Sequence, residues 1–295
     1  MEEYKKPPLS FTAQLNLLKT RGLKIENFNK SLNFISHVNY YRFSPYCIPF
    51  EKSRHIFKEN ITFKMIINLY NFDKNLRFII DEVLEAVEIS FRTKIAYHLS
   101  HKYGAFVHEN KYNFNSTFYD YEKWLEKIHD ETNRAKEKFI SHYRKKYLYF
   151  PKLPIWMVVE IMSFGSLSLL FKNLRDKDKI EISKNYKIHS SVLPSWLHTF
   201  SYIRNICAHH CRLWNRDLAI KFKVPKNPDW TKLNNKKVFV LILSIIYLLN
   251  SINKEVMKNT QEKITNLIDN NNYINNHLFL LGFPSNWKDL LYLDH

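Results

Sequence analysis

Glycine is scarce in this chain, 4 in 295 residues, and the scarcity removes whole classes of function. Phosphate-cradling loops and dinucleotide-binding turns need glycine where the backbone approaches a ligand or takes positive φ, so neither fold is expected. Cysteine is as sparse: Cys47, Cys207 and Cys211 are an odd trio, too few for a disulfide framework and compatible with a reducing cytoplasm. The opening stretch "MEEYKKPPLSFTAQ" holds no apolar run of the signal-peptide kind. The most apolar run, Val238 to Leu249, falls short of the ~20 residues a membrane-crossing helix needs. It reads as a buried helix, and no membrane span is expected. Acidic residues are the last deficit, 28 against 45 Lys and Arg for a formal charge of +17. Such an excess repels itself, and a polyanionic partner would offset it. Nucleic acid is the first candidate and an anionic membrane surface the second, with a lysine-rich surface kept for solubility as the plain alternative.

What is abundant is apolar and aromatic: 45% hydrophobic residues, with 22 Phe and 18 Tyr, enough for a sizeable core. Apolar positions recur three and four residues apart from Thr62 to about Ser100, through Ile66, Leu69, Leu76, Ile80, Val83, Leu84, Val87, Phe91, Ile95 and Leu99, which predicts core helices. The same spacing runs through Phe118, Tyr121, Leu125, Ile128, Ala135 and Phe139, a long amphipathic helix ending in the cations Arg144, Lys145 and Lys146. Cations there complement a helix dipole; beside Tyr143, Tyr147 and Tyr149 they equally suit stacked single-stranded bases. "PIWMVVEIMSFGSLSLLFKNL" reads as a helix that Gly165 either kinks or opens to a close helix contact, and "NLIDNNNYINNHL" as a polar, Asn-rich tail before a closing apolar turn. Glu88 and Arg92, at i and i+4, are either a surface pair or a buried anchor, and Glu160 poses the same question. No stretch alternates with period two. The expected fold class is all-α, one domain over 1–295 with an inserted helical segment at 116–153.

The chemistry gathers in "SYIRNICAHHCRLWNR", residues 201 to 216. Treated as one helix at about 100° per residue, Ile203, Cys207, His210 and Trp214 share one face, and Asn205, His209, Arg212 and Arg216 the opposite one. His210 and Trp214 are then structural core residues, while His209 stands with the cations, where an imidazole can take and give a proton. A metal site from Cys207, His210 and Cys211 with His198 does not match the usual paired-cysteine spacing. No metal and no cofactor are expected. Arg212 and Arg216 are phosphate positioners or partners of Glu88 and Glu160.

"RNICAH", Arg204 through His209, resembles the R-x4-H signature of the HEPN superfamily of all-α ribonucleases, including a polar residue directly after the arginine, Asn205. The longer string "RNICAHHCRLWNR" resembles the Abi-like proteins of bacterial abortive infection, the AbiD and AbiF group. So do "TRGL", "VNYYRFSPYCIPF", "EISFRTKIAYHLS" followed by "YG", and "PIWMVVEIMSFGSLSLL". The resemblance implies a HEPN-type helical bundle with additional helices, working as a cytoplasmic homodimer. It implies a toxin-like endoribonuclease that cleaves RNA without metal, with His209 as general acid or base, Arg204 stabilising the phosphorane and Asn205 orienting. Arg212, Arg216, Arg144, Lys145 and Lys146 would bind RNA. Some relatives are encoded beside small non-coding RNAs, which makes such an RNA a candidate partner; the group is also similar to proposed ancestors of RNA-guided type VI CRISPR nucleases. The alternative is a catalytically inactive RNA-binding protein that keeps the fold.

Overall fold

The computed structural model describes residue 3 and residues 7–118, 120–220 and 222–293. The fold is all-α, and among the described residues its only sheet has two short strands. The chain divides into two compact units, Met1–Leu76 and Arg77–His295, so the segment 116–153 lies inside the second unit.

In the first unit, α1 (Phe11–Thr20) starts at Ser10, whose hydroxyl accepts from the Ala13 amide at 3.2 Å, a side-chain cap for an otherwise unpaired donor. The chain leaves α1 through Gly22 at φ +96°, a conformation glycine adopts without steric cost. Then come α2 (Phe28–His37), α3 (Tyr40–Phe43), and the hairpin of β1 (Glu51–Ser53) and β2 (Ile56–Phe57). α4 (Phe63–Tyr103) begins in this unit and continues beyond it. The core here is aromatic: Phe43 stacks on Phe63 at 4.9 Å, and Phe34 meets Phe43, Phe63 and Tyr70 edge-on. The buried Tyr46 hydroxyl donates to Asp73 at 2.6 Å.

The second unit continues from α4 into α5 (Tyr121–Arg134), α6 (Lys138–Lys146), α7 (Ile155–Ile161), α8 (Phe164–Lys172), α9 (Asp176–Lys184), α10 (Leu193–Ala208), α11 (Pro228–Thr231), α12 (Val238–Ile252), α13 (Lys254–Asp269) and α14 (Trp287–Leu291). α12 is apolar on every side and correspondingly buried, as a helix without a polar face must be. It packs against α13, and α10 packs against α8.

Two of the expected helices are cut differently, and the Asn-rich tail is helical. The amphipathic run 118–139 breaks at Ala135 into α5 and α6. On one straight helix Ile128 and Ile140 would stand about 120° apart, and the break lets both be buried. The break comes at Met162–Ser163 rather than as a kink at Gly165, and the Ser163 hydroxyl caps α8 by accepting from the Ser166 amide. The Asn-rich stretch 266–278 begins as the last turn of α13, a helix capped by Asn253 accepting from the amides of Glu255 and Val256, and continues as 3-10 helix over Asn272–Leu281.

α9 is tied to α4 by one carboxylate. Asp178, fully buried, accepts from Lys102, from the Tyr103 hydroxyl at 2.8 Å and pairs with His98 Nε2 at 2.9 Å. Burial alone would raise its pKa, but the hydrogen bonds from Lys102, His98 and Tyr103 overcome that and hold it below the ordinary 3.8. Asp178→Ala is expected to cost about 3 kcal/mol at neutral pH, measured by urea denaturation, because it strands the charges gathered around the carboxylate. With a folded pKa below the unfolded one, this stabilisation is complete above pH 3.8 and is lost as pH falls below it toward the folded value. The wild-type advantage over Asp178→Ala should shrink in that acid range and not at alkaline pH.

Candidate functional site at the end of α10

α10 carries its apolar residues Trp196, Leu197, Phe200, Ile203 and Cys207 inward. Its other face shows His198 and Asn205 exposed and Tyr202 half-buried, recurring at helical spacing. The helix ends at Ala208, not beyond Arg216, which overturns the single-helix reading of residues 201–216. His209 is the C-cap, and His210 turns into the left-handed region at φ +56°. The His210 amide donates to the Cys207 carbonyl at 2.9 Å and the Cys211 amide to the Ile206 carbonyl at 2.9 Å, the paired bonds by which a helix closes on a left-handed residue. Glycine usually fills that place; a β-carbon there costs about 1 kcal/mol.

His210 is therefore not a core histidine beside Ile203 and Cys207: it is exposed, because the turn carries its side chain off the helix face. Trp214 is fully buried, delivered to the core by the loop rather than by the helix. His209 and Asn205 are both exposed. Arg212 is half-buried. Arg216, though off the helix, folds back along it and donates from Nη1 to the Tyr202 hydroxyl at 3.3 Å. Tyr202 stands seven residues before His209 and three before Asn205, so Arg216 still joins their face, by a hydrogen bond that helical periodicity did not foretell.

Arg204 emerges on the flank of that face. Glu88 of α4, nearly buried, pairs through Oε1 with Arg92 and through Oε2 with Arg204 Nη2 at 3.7 Å. Arg92 Nη2 also donates to the Met162 carbonyl at 2.7 Å, in the gap between α7 and α8. Arg204 Nη1 reaches the neighbouring Asn205 Oδ1 at 3.4 Å, and its side chain remains 37% exposed. Glu88 is thus a buried anchor whose arginine partners are Arg92 and Arg204, while Glu160 is exposed. Neither Tyr202 nor the link from Glu88 to Arg204 was singled out from the sequence; Tyr202 had a signal in its i+3 and i+7 relation to Asn205 and His209, the second had none.

Arg144, Lys145 and Lys146 lie elsewhere, exposed at the C-terminus of α6. Arg144 Nη2 donates to the Asn133 carbonyl at 3.0 Å, closing the last turn of α5, and its guanidinium lies 4.4 Å from the Phe150 ring centre. Among the described residues no three His, Cys, Asp or Glu side chains are placed to hold a metal ion, and no helix is long and apolar enough to cross a membrane.

Comparison with known families matches residues 33–215 to the family described as Abi-like protein. The chain belongs to the Abi-like protein family. The match takes in Glu88, Arg92 and the whole stretch from Arg204 to Asn215, and membership points to abortive infection, a form of phage defence. No curated protein and no solved structure matches the chain.

The cap geometry separates the two histidines of this Abi-like protein by stability. His210→Gly is expected to raise the unfolding free energy by about 0.5 kcal/mol, the relieved left-handed penalty less the greater unfolded-state entropy of glycine. Trp214→Ala should lower it by about 3–5 kcal/mol. Urea denaturation of both variants measures this, and a loss at His210 as large as that at Trp214 would restore His210 to the core.

Proposed function

We propose that this protein is a HEPN-type endoribonuclease acting in phage defence, cutting RNA at a site made by Arg204, Asn205 and His209 from two copies of the chain. The observation that carries the reading is the end of α10. A half-exposed guanidinium steered by Glu88, an exposed amide and an exposed imidazole lie within six residues, where the helix stops.

Internal transesterification needs a base and an acid at once. The imidazole of one His209 takes the proton of the RNA 2′-hydroxyl, and the new 2′-oxygen–phosphorus bond forms as the bond from phosphorus to the 5′-oxygen breaks. The His209 of the second copy gives a proton to that leaving oxygen. The products are a 2′,3′-cyclic phosphate and a 5′-hydroxyl. Arg204 offsets the added negative charge on the phosphorane, and Asn205 hydrogen-bonds a phosphate oxygen. A two-fold interface at the end of α10 supplies both histidines from one surface. Arg212, Arg216 and the cluster Arg144, Lys145 and Lys146 hold the RNA backbone, and a small non-coding RNA is a candidate regulator.

The second reading, an RNA-binding protein without cleavage, has the Glu88–Arg204 ion pair on its side, since it neutralises part of the guanidinium charge. Cleavage of end-labelled RNA separates the two. Arg204→Ala and His209→Ala should each slow it at least a hundredfold, abolish any growth arrest on expression, and leave RNA binding in place. The wild-type rate should be unchanged by EDTA. Wild-type protein that binds RNA and never cuts it would establish the second reading.

Glu88 is a positioning residue in this scheme. Glu88→Gln should lower kcat at least tenfold with KM changed by less than about twofold, together with a stability loss of about 3 kcal/mol from the stranded Arg92. Paired kinetics and urea denaturation measure both, and a kcat loss that vanishes wherever the variant is fully folded would remove Glu88 from the mechanism.

A further inference from the structure

At the opposite end of α10 from His209, two adjoining cavities open in the surface of the second unit, about 700 and 680 Å³ in volume. They share Ser191 and Lys223 and so form one trough. Its walls carry Lys172, Lys179, Lys187, Lys223 and Lys226 against one acid, Asp176, which Lys179 already engages at 2.7 Å. Among the described residues Lys172, Lys187, Lys223 and Lys226 make no ion pair, and all four are exposed. The floor of the first cavity is apolar, with Val192, Phe222 and Tyr247.

The trough is aligned with the candidate site. Ser195 and His198 of α10 line its second cavity. At about 100° per residue they fall on the same face as Tyr202, Asn205 and His209, and the rise from Ser195 to His209 is about 21 Å. A strand leaving the trough along this face passes the Tyr202 ring with Arg216 bonded to it before reaching Asn205 and Arg204.

We propose that this trough is the entry site for single-stranded RNA, holding the stretch of substrate that flanks the scissile phosphate; this rests on the ribonuclease reading above. Lysines without a carboxylate partner along a groove, rather than over a flat face, suit a linear polyanion, and the Nζ of Lys223 meets only the Ser191 carbonyl at 3.4 Å. An apolar floor beside them suits a base that is unstacked, which a duplex does not offer. The lysines neutralise backbone phosphates and the floor receives a base.

The test uses the full chain and a labelled, unstructured oligoribonucleotide, with anisotropy followed over a salt series. The double variant Lys223→Glu with Lys226→Glu should weaken binding at least tenfold and make the salt dependence shallower by about one to two in log–log slope. Lys254→Glu with Lys258→Glu, two exposed positions on α13 that change net charge equally, should shift affinity less than about threefold. An RNA duplex of the same sequence should compete at least tenfold less well than the single strand. Trough and control variants that weaken binding equally, or a trough variant that binds as wild type, overturn the entry site. In either event loss of cleavage in Arg204→Ala and His209→Ala still upholds the nuclease. Trough-dependent binding with no cleavage by wild-type protein supports the entry site and overturns the nuclease.

Discussion

One carboxylate organises the candidate site. Glu88 lies on the inner side of α4, and its two oxygens face two arginines, Arg92 on its own helix and Arg204 on α10. A buried carboxylate without partners would be strongly destabilising, and a buried arginine likewise. Among the described residues Arg92 Nη1 is buried and finds no acceptor, so the Glu88 contact and the Met162 carbonyl carry its compensation. That carbonyl is available because the chain breaks between α7 and α8. The position of Arg204 therefore depends on α4, on the α7–α8 break and on the docking of α10, and the guanidinium reaches the surface already oriented.

The end of α10 obeys a second constraint. Closing the helix on His210 in the left-handed region satisfies two carbonyls of the last turn and directs the chain away from the axis. His209, as the C-cap, stays at the rim. The following residues then double back, with Leu213 and Trp214 buried and Arg216 against Tyr202. A continuous helix would place Arg212 and Arg216 farther along the axis; the turn brings Arg216 back to Tyr202, in the second half of α10. The functional face is thus composed of one helix stripe and one returning loop, and the cost of the strained cap is met by the burial of Trp214.

The positive charge is unevenly used. Several cations are engaged locally: Arg144 on the end of α5, Lys102 on Asp178, Lys237 on Asp217 at 2.8 Å and Lys263 on Glu82 at 2.8 Å. Among the described residues Lys172, Lys187, Lys223 and Lys226, in the trough beside the start of α10, have no carboxylate partner. Asparagine has its own division of labour, capping α2, α3, α11 and α13 from Asn27, Asn39, Asn227 and Asn253. In each case the side-chain oxygen accepts from an amide of the first turn, which an asparagine ahead of a helix is suited to do.

The spacing and clustering of apolar residues by themselves determined the helical class, the helical course of α4, the buried α12 and the shared face of Asn205 and His209, because these are properties of one chain segment; Arg204 joined them through the family resemblance. The longer string "RNICAHHCRLWNR", with the blocks "VNYYRFSPYCIPF", "EISFRTKIAYHLS" and "PIWMVVEIMSFGSLSLL", carried the Abi-like resemblance that the match over 33–215 bears out. Where helices stop was not contained in spacing. Apolar residues at i+3 and i+4 continue past Ala208 to Trp214 and past Arg134 to Phe139, and only the tertiary structure ends those helices, since a break allowed both flanking apolar sets to reach the core. The fate of His210, of Arg216 and of Glu88 turned on the same decisions. Each is set by which backbone carbonyl or side chain from a distant part of the chain arrives beside it, and a local pattern holds no information about that.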